Sequence, residues 1–181
     1  INWPGCHMSP KQNTSMVISI PIQYLGRFSL ITVTWTIMQS KPDPMETSCG
    51  FILLNFDSIL LLQYPQGHWS FPKGHVEEGD SDHHYTAKRE LKEETGISDV
   101  TIDNGWGERT EYTFTRKGRS VPKQVFWYLA KTGEIDVSLS HEHTNYLWLQ
   151  IEDAEAQITF DQERELLISA RKYLQSKGQI P

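Results

Sequence analysis

Residues 74–97 read GHVEEGDSDHHYTAKRELKEETGI, and the fold turns on how this stretch is read. Its last part gathers Arg89, Glu90, Glu93 and Glu94, with Gly74, Gly79 and Asp80 just upstream. Residues 82–95 are composed as a helix: Ser81 or Asp82 can cap it, good helix formers follow, and Gly96 stops it. Ala87 and Leu91, four apart, supply a buried stripe. Each helical residue turns the side chain by about 100°, so Glu90 and Glu94 share a face and Glu93 lies within an arc of about 100°. Carboxylates placed this way repel one another unless a cation sits among them. Arg89, four before Glu93, pairs with it, which leaves Glu90 and Glu94 without an internal partner. Hard divalent ions such as magnesium take oxygen ligands of this kind and bring phosphate oxygens with them. On the helix alone, a solvated face with Lys88 and Lys92 is an equal alternative.

Working outward, CGFILLNF (49–56) and SILLLQY (58–64) are apolar runs meeting at Asn55-Phe56-Asp57, which predicts a hairpin. PQGHWSFPKGH (65–75) is rich in Gly and Pro and predicts a loop rather than an element. ISDVTID (97–103) predicts a short strand. RTEYTFT (109–115) and VPKQVFWYLA (121–130) flank the basic turn RKGR (116–119), again a hairpin. Arg116, Lys117 and Arg119 read as a solvated turn. YLWLQI (146–151) is a further strand. FDQERELLISARKYLQSKG (160–178) is an amphipathic helix with Leu166, Leu167, Ala170 and Leu174 inward. The order predicts an α/β fold with a mixed β-sheet between helices.

The chain has 181 residues and a formal net charge of −6. That length suits one globular domain with a sizeable core and room for a tail. An acidic balance argues against bulk binding of DNA or RNA through phosphates, but suits a site that holds a cation and thereby a phosphate substrate. Cys6 and Cys49 lie far apart and suggest no disulfide framework, so a reduced, cytoplasmic setting is the simplest expectation. Residues 15–40 are apolar, with only Arg27 charged, yet Pro21, Gly26 and many Ser/Thr weaken a membrane reading. Within them ITVTWTI (31–37) alternates as a strand does. An edge strand or tail is expected there, followed by the linker KPDPMETS (41–48), with Met38 or Met45 as alternative starts. This divides the chain into an extension, 1–44, and a folded domain, 45–181.

The stretch 74–97 resembles the signature box of the Nudix hydrolases, with Gly74, Arg89, Glu90, Glu93, Glu94, Gly96 and Ile97 at matching positions. The resemblance implies a Nudix-type α/β/α sandwich around the mixed sheet. It also implies metal-activated water attacking a phosphate of a nucleoside diphosphate linked to another group. Glu90 and Glu94 become the principal metal ligands, Glu93 a further ligand or its support, and the Gly74 carbonyl faces the metal. Arg89 holds the cluster through Glu93. One departure is visible: SDHHYTAK (81–88) is one residue longer than the family run, and Asp80 stands where Glu is usual. The extra residue falls before or in the first helical turn, where a loop absorbs it. It bears on the reading of Asp80, not on Glu90 or Glu94.

The flanks HWSFPKGHVEEGD (68–80), KQVFWYLA (123–130) and LSHEHTNYLWL (139–149) are similar to the asymmetrical diadenosine tetraphosphate hydrolases within that family. This implies a dinucleoside polyphosphate substrate cut to ATP and AMP, with Mg2+ or Mn2+ as cofactor. Lys73, His75 and Lys123 are candidates for the phosphates. Glu142 becomes an extra metal ligand or the base, a role the helix can also fill. His141 and His143 orient that loop or touch phosphate. HEH (141–143) lacks the spacing and partners of structural zinc. Tyr112 and Tyr146 are the candidates for stacking on adenine. A monomer acting on a small molecule is expected, with no membrane and no DNA. Removal of pyrophosphate from an RNA 5′ end, a diphosphoinositol or other nucleotide substrate, and a non-catalytic nucleotide-binding module are the alternatives.

Overall fold

The computed structural model describes residues 15–24, 27–36 and 44–180. The chain divides into two units, residues 1–42 and 43–181. In the first, β1 (Ser15–Tyr24) pairs antiparallel with β2 (Arg27–Thr36) as a two-stranded sheet. The alternation read over 31–37 falls on β2 as far as Thr36, so this strand belongs to a hairpin and not to an edge of the larger sheet. Cys6, Met38 and the first part of the expected linker lie outside the described residues.

The second unit is built on a seven-stranded sheet. Its strands are β3 (Glu46–Asn55), β4 (Ser58–Gln63), β5 (Trp69–Ser70), β6 (Lys73–His75), β7 (Thr101–Arg116), β8 (Arg119–Lys131) and β9 (Asn145–Gln150). The order runs β5-β4-β3-β8-β7, with β6 on β3 and β9 on β4. β3 runs parallel to β8 and antiparallel to β4 and β6, so the sheet is mixed. Helix α1 (His83–Thr95) covers one face, while α2 (Ile151–Gln157) and α3 (Asp161–Ser176) cover the other. A strand covered on both faces needs apolar side chains at successive positions, which explains the unbroken run FILL on β3. Phe51 and Leu53 pack with Ala87 and Leu91 of α1, while Ile52 and Leu54 pack with Leu167 and Ala170 of α3. Val125, Trp127 and Leu129 face α3, and Phe126, Tyr128 and Ala130 face α1. The predicted α/β/α arrangement is therefore present.

Several boundaries differ from the sequence expectation. Glu46–Ser48, read as linker, begin β3, because Glu46 and Thr47 lie opposite Lys123 and Gln124 in the parallel pairing. The expected loop 65–75 contains β5 and β6; pairing with β4 and β3 overrides its Gly and Pro content. Strand 97–103 starts only at Thr101 and continues into 109–115 as one strand, interrupted by an irregularity between Asp103 and Gly107. There the Gly105 N–H bonds Asp103 Oδ1 at 2.8 Å, and Trp106 turns into the α3-side core. Helix α2 is too short for a periodic pattern to announce it.

The hairpins meet expectation. Leu54 faces Ile59 and Asn55 faces Ser58 across the β3–β4 turn. At the β7–β8 turn Lys117 (φ 50°) and Gly118 (φ 76°) both have positive φ, the backbone that suits a two-residue hairpin turn. Gly50 on β3 is where the sheet meets the loop leading to β6. A Cβ there would lie 2.5 Å from the Pro72 carbonyl and 2.8 Å from the Trp127 ring, so the close approach requires glycine. Among the described residues no helix is long and apolar enough to cross a membrane.

Candidate active site

Helix α1 begins where Asp82 accepts the Tyr85 N–H at 2.9 Å, and ends at Gly96 in the left-handed region. Just before it, the Asp80 carboxylate takes Arg89 Nη2 at 2.9 Å and Nε at 3.2 Å, the Glu77 N–H at 3.0 Å and the Thr86 hydroxyl at 2.8 Å. The Arg89 hydrogen bonds, with the backbone bond from Glu77, hold the Asp80 carboxyl far below the usual carboxylate range. Arg89 also donates to Glu90 Oε1 at 3.0 Å and to the His75 carbonyl at 2.8 Å. Its contact with Glu93 is longer, 3.4 Å, at an exposed carboxylate. The main anchor of Arg89 is thus Asp80, not Glu93 as expected. A two-pronged guanidinium–carboxylate pair outcompetes a solvated pairing at i,i+4. The extra residue before the helix is absorbed without loss of this pair.

Glu90 and Glu94 have internal partners that the helix alone did not reveal. The Lys73 N–H donates to Glu94 Oε2 at 3.0 Å, and Arg89 serves Glu90. Gly74 lies so close to Glu90 that a Cβ would fall 1.8 Å from its carboxyl carbon, so β6 and the helix can meet only at glycine. Burial pushes the Glu94 carboxyl up to about 8, with Glu90 and Glu142 adding to the rise against Lys73. Burial likewise raises Glu90, partly offset by Arg89. A cation among these carboxylates would remove that cost.

The HEH loop reaches the site because Ser138 and Ser140 donate their N–H groups to the Thr95 and Glu94 carbonyls, at 2.8 and 3.0 Å. These are end-of-helix carbonyls that need outside donors. Glu142 and His141 line the cleft, but His143 does not. The His143 ring is buried edge-on to Tyr64, centroids 4.6 Å apart, and burial lowers its pKa to about 4. Its Nε2 lies 3.5 Å from Glu94 Oε1, within ion-pair reach but without hydrogen-bond geometry. The ring thus sits behind Glu94 and Tyr64, outside the lining of the cleft.

The cleft measures about 870 Å3 and is lined by Gly74, Glu90, Glu93, Glu94 and Glu142 together with His75, Lys123 and Arg116. An adjoining cavity of about 510 Å3 is lined by His68, Tyr112, Phe114, Phe160 and Glu163. His68, Lys73, Tyr112, Phe114 and Lys123 border both. Lys123 stands opposite Tyr112 in the β7–β8 register, and burial, with Lys73 nearby, lowers its pKa to about 8. The Lys73 ammonium donates to the Tyr64 hydroxyl at 2.8 Å and the Ser70 hydroxyl at 3.0 Å. Burial disfavours its charge, but Tyr64, Glu163 and Glu94 outweigh that and raise its pKa. His75 pairs with Glu46 at 3.2 Å. Tyr146 does not line the cleft; it packs, partly buried, with the α1-side core.

Sequence reasoning missed Glu46, Tyr64, His68, Phe114, Phe160 and Glu163. Phe114, two residues after Tyr112 on one strand, carried a readable signal. Glu46 and Glu163 enter through strand pairing and helix docking, which no local pattern encodes.

The oxygens that line the cleft are hard donors: the carboxylates of Glu90, Glu93, Glu94 and Glu142, with the Gly74 backbone against Glu90. Among the described residues no three His, Cys, Asp or Glu side chains already form a metal cage. Carboxylate oxygens such as those of Glu90 and Glu94 are ligands of the kind hard divalent ions take.

Residues 45–170 match the family profile described as NUDIX domain. The chain belongs to the Nudix family. Over 143 residues this Nudix chain is 38% identical to the asymmetrical bis(5′-nucleosyl)-tetraphosphatase of Mus musculus, spanning 70% of this chain and 94% of the relative. It is 44% identical over 101 residues to the enzyme of that name from Caenorhabditis elegans, spanning 53% of this chain and 70% of the relative. Its fold superposes on the solved structure of a C. elegans Ap4A hydrolase binary complex with a TM-score of 0.65 and 35% identity, over 73% of this chain and 99% of the other.

If Asp80 orients Arg89, Asp80→Asn lowers kcat by about 10–100-fold and raises the magnesium concentration for half-activity, while circular dichroism remains native. Unchanged kinetics would show that Glu93 suffices to hold Arg89.

Proposed function

We propose that the protein is a metal-dependent asymmetrical dinucleoside polyphosphate hydrolase that cuts diadenosine tetraphosphate to ATP and AMP. The observation that carries this reading is the continuity of the apolar aromatic cavity with the charged cleft through Lys73, Tyr112 and Lys123. Such a site accepts a nucleobase at one place and its phosphate chain at the next. The names of the relatives agree with it.

In this reading adenine stacks on Tyr112, with Phe114 and Phe160 completing the apolar wall. Lys123, His75 and His141 meet phosphate oxygens, while the Lys73 ammonium keeps Tyr64 and Ser70 in place. Glu90, Glu94 and the Gly74 carbonyl would hold Mg2+ or Mn2+, with Glu93 and Glu142 completing the carboxylate set. An ion bound there would supply a lowered water pKa and charge neutralisation at the phosphates. Glu142, carried by the loop clamped to the end of α1, takes the proton of the attacking water. The water oxygen bonds the phosphorus next to one adenosine, the bond from that phosphorus to its bridging oxygen breaks, and ATP leaves with the electron pair.

The catalytic unit in this proposal is residues 45–181, a span supported by the family match and the compact second unit.

Incubation with diadenosine tetraphosphate and magnesium in 18O-labelled water yields equal ATP and AMP, with the label in AMP. Two ADP, or label in ATP, would contradict the asymmetrical reading. Lys123 adds a pH signature. With its pKa lowered to about 8, it is charged below that pH and loses its hold on phosphate above it. The kcat/KM profile, which reports the free enzyme, therefore falls above about pH 8. Lys123→Arg removes this alkaline limb; a limb that persists in the variant assigns it to another group.

A further inference from the structure

A chain of hydrogen bonds leads from the Lys73 ammonium away from the carboxylate cluster and into the wall of the aromatic cavity. An ammonium only donates, so the Ser70 hydroxyl, 3.0 Å from Lys73 Nζ, accepts there and sends its own proton onward. Its nearer acceptor is Glu163 Oε1 at 2.9 Å, against 3.3 Å to the Phe71 carbonyl. Glu163 is thereby held as an acceptor, in the first turn of α3, where a helix favours negative charge. It is only 9% exposed and lines the cavity of about 510 Å3 together with Tyr112, Phe114 and Phe160. Its other oxygen, Oε2, is buried and has no hydrogen-bond partner among the described residues. Asp161, the second acid of that wall, is exposed and pairs with Arg164. A buried carboxylate oxygen without a partner is costly, and a donor brought in from outside recovers that cost. Neither the metal ligands nor the phosphate contacts make use of this oxygen.

Resting on the function proposed above, we infer that Glu163 is the residue that selects the base: Oε2 accepts a hydrogen bond from the exocyclic amine of adenine, while the rings of Tyr112, Phe114 and Phe160 contact its faces. Stacking tolerates every base, because each has a π-face, so the aromatic walls alone select poorly. An acceptor fixed at the edge of the ring does select. Adenine carries an amine donor at its six-position, where hypoxanthine and guanine carry a carbonyl oxygen; in the same pose that oxygen would oppose Oε2, acceptor against acceptor. The last torsion of a glutamate side chain is broad, so a small turn about it presents Oε2 to the cavity while Oε1 keeps the Ser70 hydroxyl. Burial favours the neutral form of Glu163, and Lys73, with the Ser70 hydrogen bond, opposes this. The bond to the amine is then charge-assisted and stronger than one to a neutral acceptor. Glu163 meets the base and not the phosphates, so it acts on the choice of nucleotide rather than on the cleavage step.

The test uses the full chain and a base that lacks only the amine. Purine riboside in place of adenosine in the dinucleoside tetraphosphate removes the donor and adds no carbonyl. A buried hydrogen bond to a charged group makes kcat/KM of the wild type about tenfold higher, or more, for diadenosine tetraphosphate than for this analogue. Glu163→Met, similar in length and without the carboxylate, brings the ratio to within about twofold of one. Glu163→Gln keeps the shape and a neutral carbonyl oxygen, and gives an intermediate ratio. A loss of rate common to both substrates, as from a displaced Lys73, cancels in the ratio. A wild-type ratio near one, or a ratio unchanged in either variant, overturns the assignment and leaves the hydrolase reading intact. Calorimetric titration with AMP and with purine riboside 5′-monophosphate, without divalent ions, reads the base independently of turnover. Preference for AMP in the wild type, lost in Glu163→Met and reduced in Glu163→Gln, supports the assignment. Equal affinities in the wild type, or a preference that both variants retain in full, overturn it even if diadenosine tetraphosphate proves not to be the substrate.

Discussion

Arg89 is the contact on which the rest of the site depends. Its guanidinium joins three parts of the chain: Asp80 before the helix, the His75 carbonyl on β6, and Glu90 on the helix itself. This clasp ties β6 to the helix at His75, as the Lys73 N–H does at Glu94. With it, Gly74 packs against Glu90 and the Lys73 N–H reaches Glu94. Burying Glu94 is unfavourable for its charged form, as its raised pKa reflects. The fold tolerates that cost at the place where a divalent ion would relieve it. Destabilised, pre-placed charge of this kind is characteristic of functional sites.

The sheet places the other half of the chemistry. Parallel pairing of β3 with β8 puts Glu46 opposite Lys123, and the β7–β8 register puts Tyr112 opposite the same lysine. An aromatic ring, an ammonium and its counter-charge are therefore neighbours across three strands, with Glu46 brought in from a distant part of the chain. The apolar cavity and the charged cleft meet there because alternate residues of β7 and β8 turn to one face of the sheet.

Much of this was legible in the sequence, and the remainder fails for identifiable reasons. Helix α1, its caps and its carboxylate face follow from 3.6-residue periodicity and from Asp82 and Gly96, which act locally. Both hairpins were readable from turn residues. The strands β5 and β6 were not, because Gly and Pro argue for a loop and only pairing with β4 and β3 shows otherwise. The roles of Asp80, Glu46 and His143 depend on partners 9, 70 and 49 residues away: Arg89, Arg116 and Glu94. Spacing along one helix favoured Glu93 as the mate of Arg89, because i,i+4 pairs are visible in sequence and a clasp from the preceding loop is not. Tyr146 looked like Tyr112 in sequence, yet its strand register turns it toward the α1-side core.

The central claim is that the Glu90–Glu94 face, organised by Arg89, is a divalent metal site. Titration of the nucleotide-free protein with Mn2+, followed by electron paramagnetic resonance, tests it directly. The account predicts saturable Mn2+ binding to the wild type, displaced by Mg2+, and loss of most of that binding in a folded Glu94→Gln variant. Equal Mn2+ binding by the wild type and the variant would contradict it.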